Sequence, residues 1–193
     1  MNIKKNLYLQ HVPADKKSLH LLFWHLDQDF PFMRAPFFIL GRSMKRDCLH
    51  GVYLTDGDKI YGYALYQHVP RFQVVHVLYL AIVSRYRSNG LGGILLEQLN
   101  ELDKNGILLE VEDPKKANDP EEIRIRTHRI AFYKRNGLKL HPDFKFNHFL
   151  FPMRVMANCK LPSLNWHHFY QKLYYRVYRL PFSYLLIRGS SKS

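Results

Sequence analysis

Hydrophobic positions along the chain fall into two periods, and the switches between them mark the elements. "PADKKSLHLLFWHLDQDFP" sets Leu19, Leu22, Phe23 and Leu26 at helical spacing, with Asp15 able to cap and Pro31 as a stop. "APFFILGRSMKRD" reads as a second, weaker helix. "HGVYLTDGDKIYGYALYQHV" reads as two strands around Asp56-Gly57, a hairpin signal. "FQVVHVLYLAIV" is a nearly continuous apolar run rich in β-branched residues, which predicts a central strand buried on both faces. "GILLEVEDP" is another strand, closed by Pro114. "NDPEEIRIRTHRIAFYKRNG" predicts a helix, with Pro120 at its start, acids in its first turn and Gly137 at its end. "HFLFPMRVM" predicts a last strand, where Pro152 argues for an edge or a bulge. "SLNWHHFYQKLYYRVYRL" predicts a terminal helix with Trp166, Phe169, Leu173, Val177 and Leu180 on one face.

The predicted order is helices, hairpin, strand, helix, strand, helix, strand, tail. It implies a mixed α/β (α+β) sheet with a parallel crossover from the strand at 74–83 to the strand at 107–112. The 193 residues suit one domain, and no repeat or linker divides them.

One stretch carries candidate chemistry. In "SRYRSNGLGG", Arg87, Ser88, Asn89, Gly90, Leu91, Gly92 and Gly93 lie between the apolar strand and a helix. N–H groups at a helix start attract anions, and glycines let a phosphate approach the backbone. The same residues could be no more than a tight strand-to-helix turn. Neither the Walker spacing nor the dinucleotide GxGxxG spacing is present.

"YLAIVSRYRSNGLGGILLEQL" resembles the acetyl-CoA signature of the GCN5-related N-acetyltransferase (GNAT) family, [Q/R]-x-x-G-x-[G/A], with Arg87, Gly90 and Gly92 in register. "RIAFYKRNGLKL" resembles the family's second block, matching at Phe132, Tyr133 and Gly137, with Leu138 in place of the usual Phe. The resemblance covers residues 50–155. It implies a GNAT-like mixed sheet with a splayed parallel strand pair, flanking helices and a C-terminal helix. It divides the chain into a domain at 1–159 and a basic, aromatic extension at 160–193, packed on the domain or on a partner.

The resemblance also implies roles. The backbone of Leu80, Ala81 and Ile82 would bond the pantetheine of acetyl-CoA. The N–H groups from Arg87 to Gly93 would hold its pyrophosphate. Tyr133 matches the family tyrosine that protonates the departing thiolate; read without the motif, it is an aromatic core residue. An attacking amine must also lose a proton. His76, five residues before Ala81, has a suitable ordinary pKa, or it is a packed strand histidine. Glu110 and Glu112, two apart on one strand, could relay the proton, or they reach solvent. Many members carry Asn seven residues before the tyrosine as a cofactor contact; here that position is Arg126, so the contact is either replaced by a charge on phosphate or lost.

Charge adds less. The net charge is +13 with a pI near 9.8, which favours polyanionic partners without choosing among them. Six of the sixteen acids lie between Glu110 and Glu122, which would form a negative funnel for a cationic amine or simply complement the helix dipole. The stretch from Phe144 to Ser193 carries eight Lys or Arg and no acid. A basic amphipathic helix there could meet membrane or nucleic acid, or pack its aromatic face on the domain or on a second subunit of a homodimer. The packing reading is preferred, and no stable nucleic-acid partner is expected.

Two cysteines, Cys48 and Cys159, share no metal or disulfide spacing, so no metal is expected. No apolar run reaches the length of a membrane span, and no signal peptide is evident, so a cytoplasmic location is expected. The expected function is direct acetyl transfer from acetyl-CoA to an amine of a small molecule or a protein. The competing reading is a non-catalytic CoA-binding or regulatory module of the same fold.

Overall fold

A computed structural model describes residues 6–31, 35–148, 151–159, 165–180 and 187–189. The chain divides into two compact units, Met1–Lys104 and Asn105–Ser193.

The first unit holds β1 (Tyr8–Val12), α1 (Lys16–Asp29), α2 (Phe37–Lys45), β2 (His50–Thr55), β3 (Ile60–Val69), β4 (Val74–Ile82) and α3 (Leu91–Asn100). Its strands pair in the order β1-β2-β3-β4, each antiparallel to the next. Asp15 caps α1 by accepting the Ser18 N–H at 3.0 Å, and Leu19, Leu22, Phe23 and Leu26 are the buried face, as the spacing predicts. The β2–β3 turn is held by the Asp56 carboxylate, which accepts the N–H groups of Asp58 at 3.1 Å and Lys59 at 2.9 Å.

The two faces of this sheet have different neighbours. The Tyr63 hydroxyl reaches the His25 carbonyl of α1 at 2.9 Å. Gly62, pointing the other way, lies near Leu95 of α3. Strand β4 is not uniform. Val74 to Val77 are buried, whereas Leu78 and Leu80 to Ile82 are half-buried, so burial on both faces holds only for its first half. Between the pairs Tyr66↔Val77 and Leu65↔Tyr79 the register slips, leaving Leu78 as an extra residue on β4. Such a bulge bends a strand and re-aims the residues beyond it.

The second unit holds β5 (Ile107–Glu112), α4 (Pro120–Arg135), β6 (Lys139–His148), β7 (Phe151–Ala157), α5 (Trp166–Tyr178) and β8 (Ile187–Gly189). Its ladders are β5–β7, β7–β6 and β6–β8, all antiparallel. Asp119 caps α4 by accepting the Glu122 N–H at 2.8 Å, and Gly137 takes a φ of +86° just past its end.

Three findings differ from the sequence reading. Strands β1, β6 and β8 were not expected. Strand β7 is flanked by β5 and β6, so Pro152 sits on an inner strand rather than an edge. It is tolerated at the second residue, where the ladder begins and its carbonyl accepts the Asp113 N–H at 2.8 Å. The buried face of α5 is Tyr170, Leu173, Tyr174, Val177 and Tyr178; Leu173 and Val177 lie on the expected face, whereas Trp166, Phe169 and Leu180 are only half-buried. The tyrosines win because β6 offers them a matching aromatic row. Tyr170 stacks on Phe146 with centroids 4.6 Å apart, and Tyr174 lies 4.1 Å from the His148 ring. The Tyr178 hydroxyl meets His148 Nε2 at 3.0 Å. The extension's residues 160–164, 181–186 and 190–193 lie outside the described set.

Candidate active site

The glycine loop leaves β4 through a short 3₁₀ turn, Ser84–Tyr86, and enters α3 at Gly90. Ser88 and Gly90 both have left-handed backbones, with φ of 64° and 75°. At Gly90 this is the N-cap position, where a side chain would be strained. No side chain among the described residues caps α3, and its first turn holds no acid, so the N–H groups of that first turn have neither an intrahelical nor a side-chain capping partner. Asn89 turns inward and braces the loop, its amide donating to the carbonyls of Tyr86 at 3.1 Å and Arg87 at 3.0 Å. The result is a cradle of backbone donors at the positive end of a helix, suited to an anion.

Arg87 does not point its charge into that cradle. Its Nε donates to the Ile82 carbonyl at 3.0 Å, and its terminal nitrogen pairs with Asp29, the last residue of α1. The second Asp29 oxygen accepts the Tyr63 hydroxyl at 2.7 Å. Burial and this carboxylate push the Tyr63 phenol well above its ordinary value.

Leu80, Ala81 and Ile82 form the half-buried end of β4, opposite Ala64, Tyr63 and Gly62. A Cβ on Gly62 would stand 2.6 Å from Ile82 Cδ1 and 2.8 Å from the Ala81 carbonyl oxygen, so only glycine fits there. His76 is fully buried on the same strand, and its Nδ1 lies 3.0 Å from the Gln67 amide nitrogen.

In the second unit, Tyr133 is 8% exposed, and its hydroxyl has no hydrogen-bond partner among the described residues. Burial raises its pKa, while the charge of Arg129 works the other way. Arg129 also pairs with Glu112 of β5. Arg126 is buried and committed to the unit's own acceptors, the Asp113 carbonyl at 3.2 Å, Glu122 at 3.0 Å and Glu112 at 3.5 Å. Glu110 accepts the Tyr174 hydroxyl of α5 at 3.1 Å. So the two carboxylates that alternation places together are bonded to different helices.

The acid cluster is a set of caps and pairs rather than a free negative funnel. Asp113 caps the 3₁₀ turn Pro114–Lys116, Asp119 caps α4, Glu121 pairs with Arg124, and Glu122 with Arg126. Local cations and N–H groups already balance these acids.

The sequence reading missed Asp29, Tyr63 and Arg129. Arg129 stands four residues before Tyr133, so helical spacing alone could have found it. Nothing local marks Asp29, which lies 58 residues from Arg87.

The family model for the acetyltransferase (GNAT) family matches residues 18–138, well over half of the chain. The chain belongs to the acetyltransferase (GNAT) family, and its fold is the mixed α/β fold expected from the two motifs. A protein assigned to the same family from Bacteroides thetaiotaomicron is similar in structure, with a TM-score of 0.72 at 24% identity, over 90% of this chain and 99% of that one. An aminoglycoside 6'-N-acetyltransferase solved with coenzyme A gives a TM-score of 0.58 at 16% identity, over 82% of this chain and 99% of that one. The ribosomal-protein-S18-alanine N-acetyltransferase from Escherichia coli gives 0.53 at 16% identity, over 82% and 97%. No curated protein matches the chain by sequence. Among the described residues, no helix is long and apolar enough to cross a membrane.

Proposed function

We propose that this acetyltransferase uses acetyl-CoA to acetylate an amine, carried by a small molecule or by a protein. The observation that carries the reading is Tyr133, a buried tyrosine whose hydroxyl has no partner among the described residues and whose phenol is kept protonated by its burial. A phenol in that state is a proton donor ready for a departing thiolate. Arg129 supports the phenolate that forms on donation, because its charge favours the anion.

The loop takes the matching part on the cofactor side. The N–H groups between Arg87 and Gly93 hold the pyrophosphate, and the backbone of Leu80, Ala81 and Ile82 bonds the pantetheine amides, as the family motif implies. The uncapped start of α3 and the left-handed backbone at Ser88 and Gly90 support this assignment. We read Arg126 as a structural residue of α4, since its guanidinium is used up within its own unit.

For removal of the amine proton we keep Glu110, with its Tyr174 partner. Glu112 is committed to two guanidinium groups, and His76 to Gln67 in the interior. The acceptor class follows the similar enzymes, one acting on an aminoglycoside and one on a protein alanine, both of them amines.

Thiol release from acetyl-CoA in the presence of a panel of amines tests the reading. Turnover with at least one amine supports it. CoA binding without turnover on any amine favours the binding-module reading, and no CoA binding at all removes both.

A further inference from the structure

Resting on the reading of the glycine loop as the pyrophosphate holder, we propose that Asp29 and Tyr63 are positioning residues: together they latch Arg87 and so set the loop for its cofactor.

The geometry of the network is specific. Arg87 opens the loop, and its side chain runs back rather than outward. It ties the Ile82 carbonyl, at the end of β4, to Asp29, at the end of α1. Asp29 is itself held by the Tyr63 hydroxyl at 2.7 Å, and Tyr63 stands directly opposite Ala81 in the β3–β4 ladder. One carboxylate thereby fixes the first loop residue relative to the strand end that precedes it.

The placement of Asp29 argues that the contact is built in. An acid at a helix C-terminus meets the negative end of the dipole, and the last turn of α1 contains no basic residue to offset it. Asp29 is only 12% exposed on its side chain, so its charge needs a partner. Arg87 supplies one. The same pairing cancels the Arg87 charge, which leaves anion binding to the loop's N–H groups. Two roles for Arg87 therefore make opposite predictions. If it served as a phosphate cation, releasing it from Asp29 would strengthen CoA binding. As a latch, releasing it weakens binding.

Because the Arg87 side chain is 54% exposed, the pair adds little to global stability, and its effect falls on loop position. A positioning role should appear in cofactor affinity and KM, and leave the chemical step alone.

The test is calorimetric titration of CoA into wild type, Asp29→Asn, Arg87→Lys and Tyr63→Phe, with steady-state kinetics on acetyl-CoA. Loss of a charge-assisted contact predicts about tenfold weaker CoA binding in Asp29→Asn and Arg87→Lys. Losing only the neutral hydroxyl predicts about threefold in Tyr63→Phe. KM for acetyl-CoA rises in parallel, kcat at saturation stays within about twofold, and the melting temperature of Asp29→Asn hardly moves. Equal or tighter binding in Asp29→Asn, or full affinity in Arg87→Lys, overturns the latch while wild-type binding keeps the loop reading. Wild type that binds no CoA overturns the loop reading, and the latch with it.

Discussion

Arg129 and Tyr133 stand one turn apart on α4, and the arginine's charge opposes the burial that raises the tyrosine's pKa. A cation stabilises the phenolate, so it holds the phenol below the value that burial alone would set. Arg129→Gln removes that opposition. The phenol becomes a weaker acid, and the basic limb of the pH–rate profile moves upward. The turnover number falls by about threefold to tenfold at neutral pH. Arg126 still faces Glu112, so the fold is retained. A limb that moves downward in this variant would count against the pairing.

Tyr53 and Tyr63 face each other across β2 and β3 and differ in one respect. The Tyr63 hydroxyl bonds α1, whereas the Tyr53 hydroxyl is enclosed without a partner among the described residues. Removing a bonded hydroxyl and removing an orphaned one have opposite signs. Tyr63→Phe should destabilise by about 1–3 kcal/mol, and Tyr53→Phe should be neutral or stabilise by up to about 1 kcal/mol. Urea midpoints of the two variants check this, and a large loss in Tyr53→Phe would show a hidden partner.

Alkaline pH should unfold the protein through these phenols. Burial raises the folded-state pKa of Tyr53, Tyr63, Tyr133 and Tyr170 above the unfolded value. Their contribution is fully present below about pH 10 and is lost above it, as the unfolded chain releases protons that the folded chain keeps. Melting temperature followed from about pH 8 to about pH 12 should be flat and then fall. Tyr53→Phe should make the fall shallower, and an unchanged slope would remove Tyr53 from this group.

Gly62→Ala should harm both stability and cofactor binding. Its Cβ would collide with the Ala81 carbonyl oxygen and with Ile82, the residues assigned to pantetheine. Overpacking of this kind costs about 1–3 kcal/mol, and the shifted strand end should weaken CoA binding. Gly137→Ala is the control. It meets no neighbouring atom, and its strained φ should cost about 1–2 kcal/mol while binding stays unchanged. Equal CoA affinity in both variants would separate Gly62 from the site.

Local signals were legible where one residue type does one job. The Asp15 cap, the Asp56-Gly57 turn and the Pro120–Gly137 frame of α4 all formed as the sequence implies. The hidden features depend on distant partners. β1 is mostly exposed, with only Val12 of its residues buried, so no apolar alternation announces it. β6 contains Pro142 and breaks register between Leu140 and Lys145, which erases the period of two. On α5 the spacing finds Leu173 and Val177 but not the buried tyrosines, because tyrosine burial depends on the aromatic row of β6, which a helical wheel does not show. In the candidate site, the two motifs could be read directly. The Asp29–Arg87 pair could not, because a long-range ion pair leaves no spacing to read.

The most direct measurement is the rate of thiol release from acetyl-CoA by wild type and by Tyr133→Phe, with any amine that the wild type accepts, beside their CoA affinities. Loss of a general acid predicts a turnover number about a hundredfold lower in Tyr133→Phe, with CoA bound as tightly as before. Equal turnover by the two proteins would contradict the account, because the thiolate would then be leaving without the Tyr133 proton.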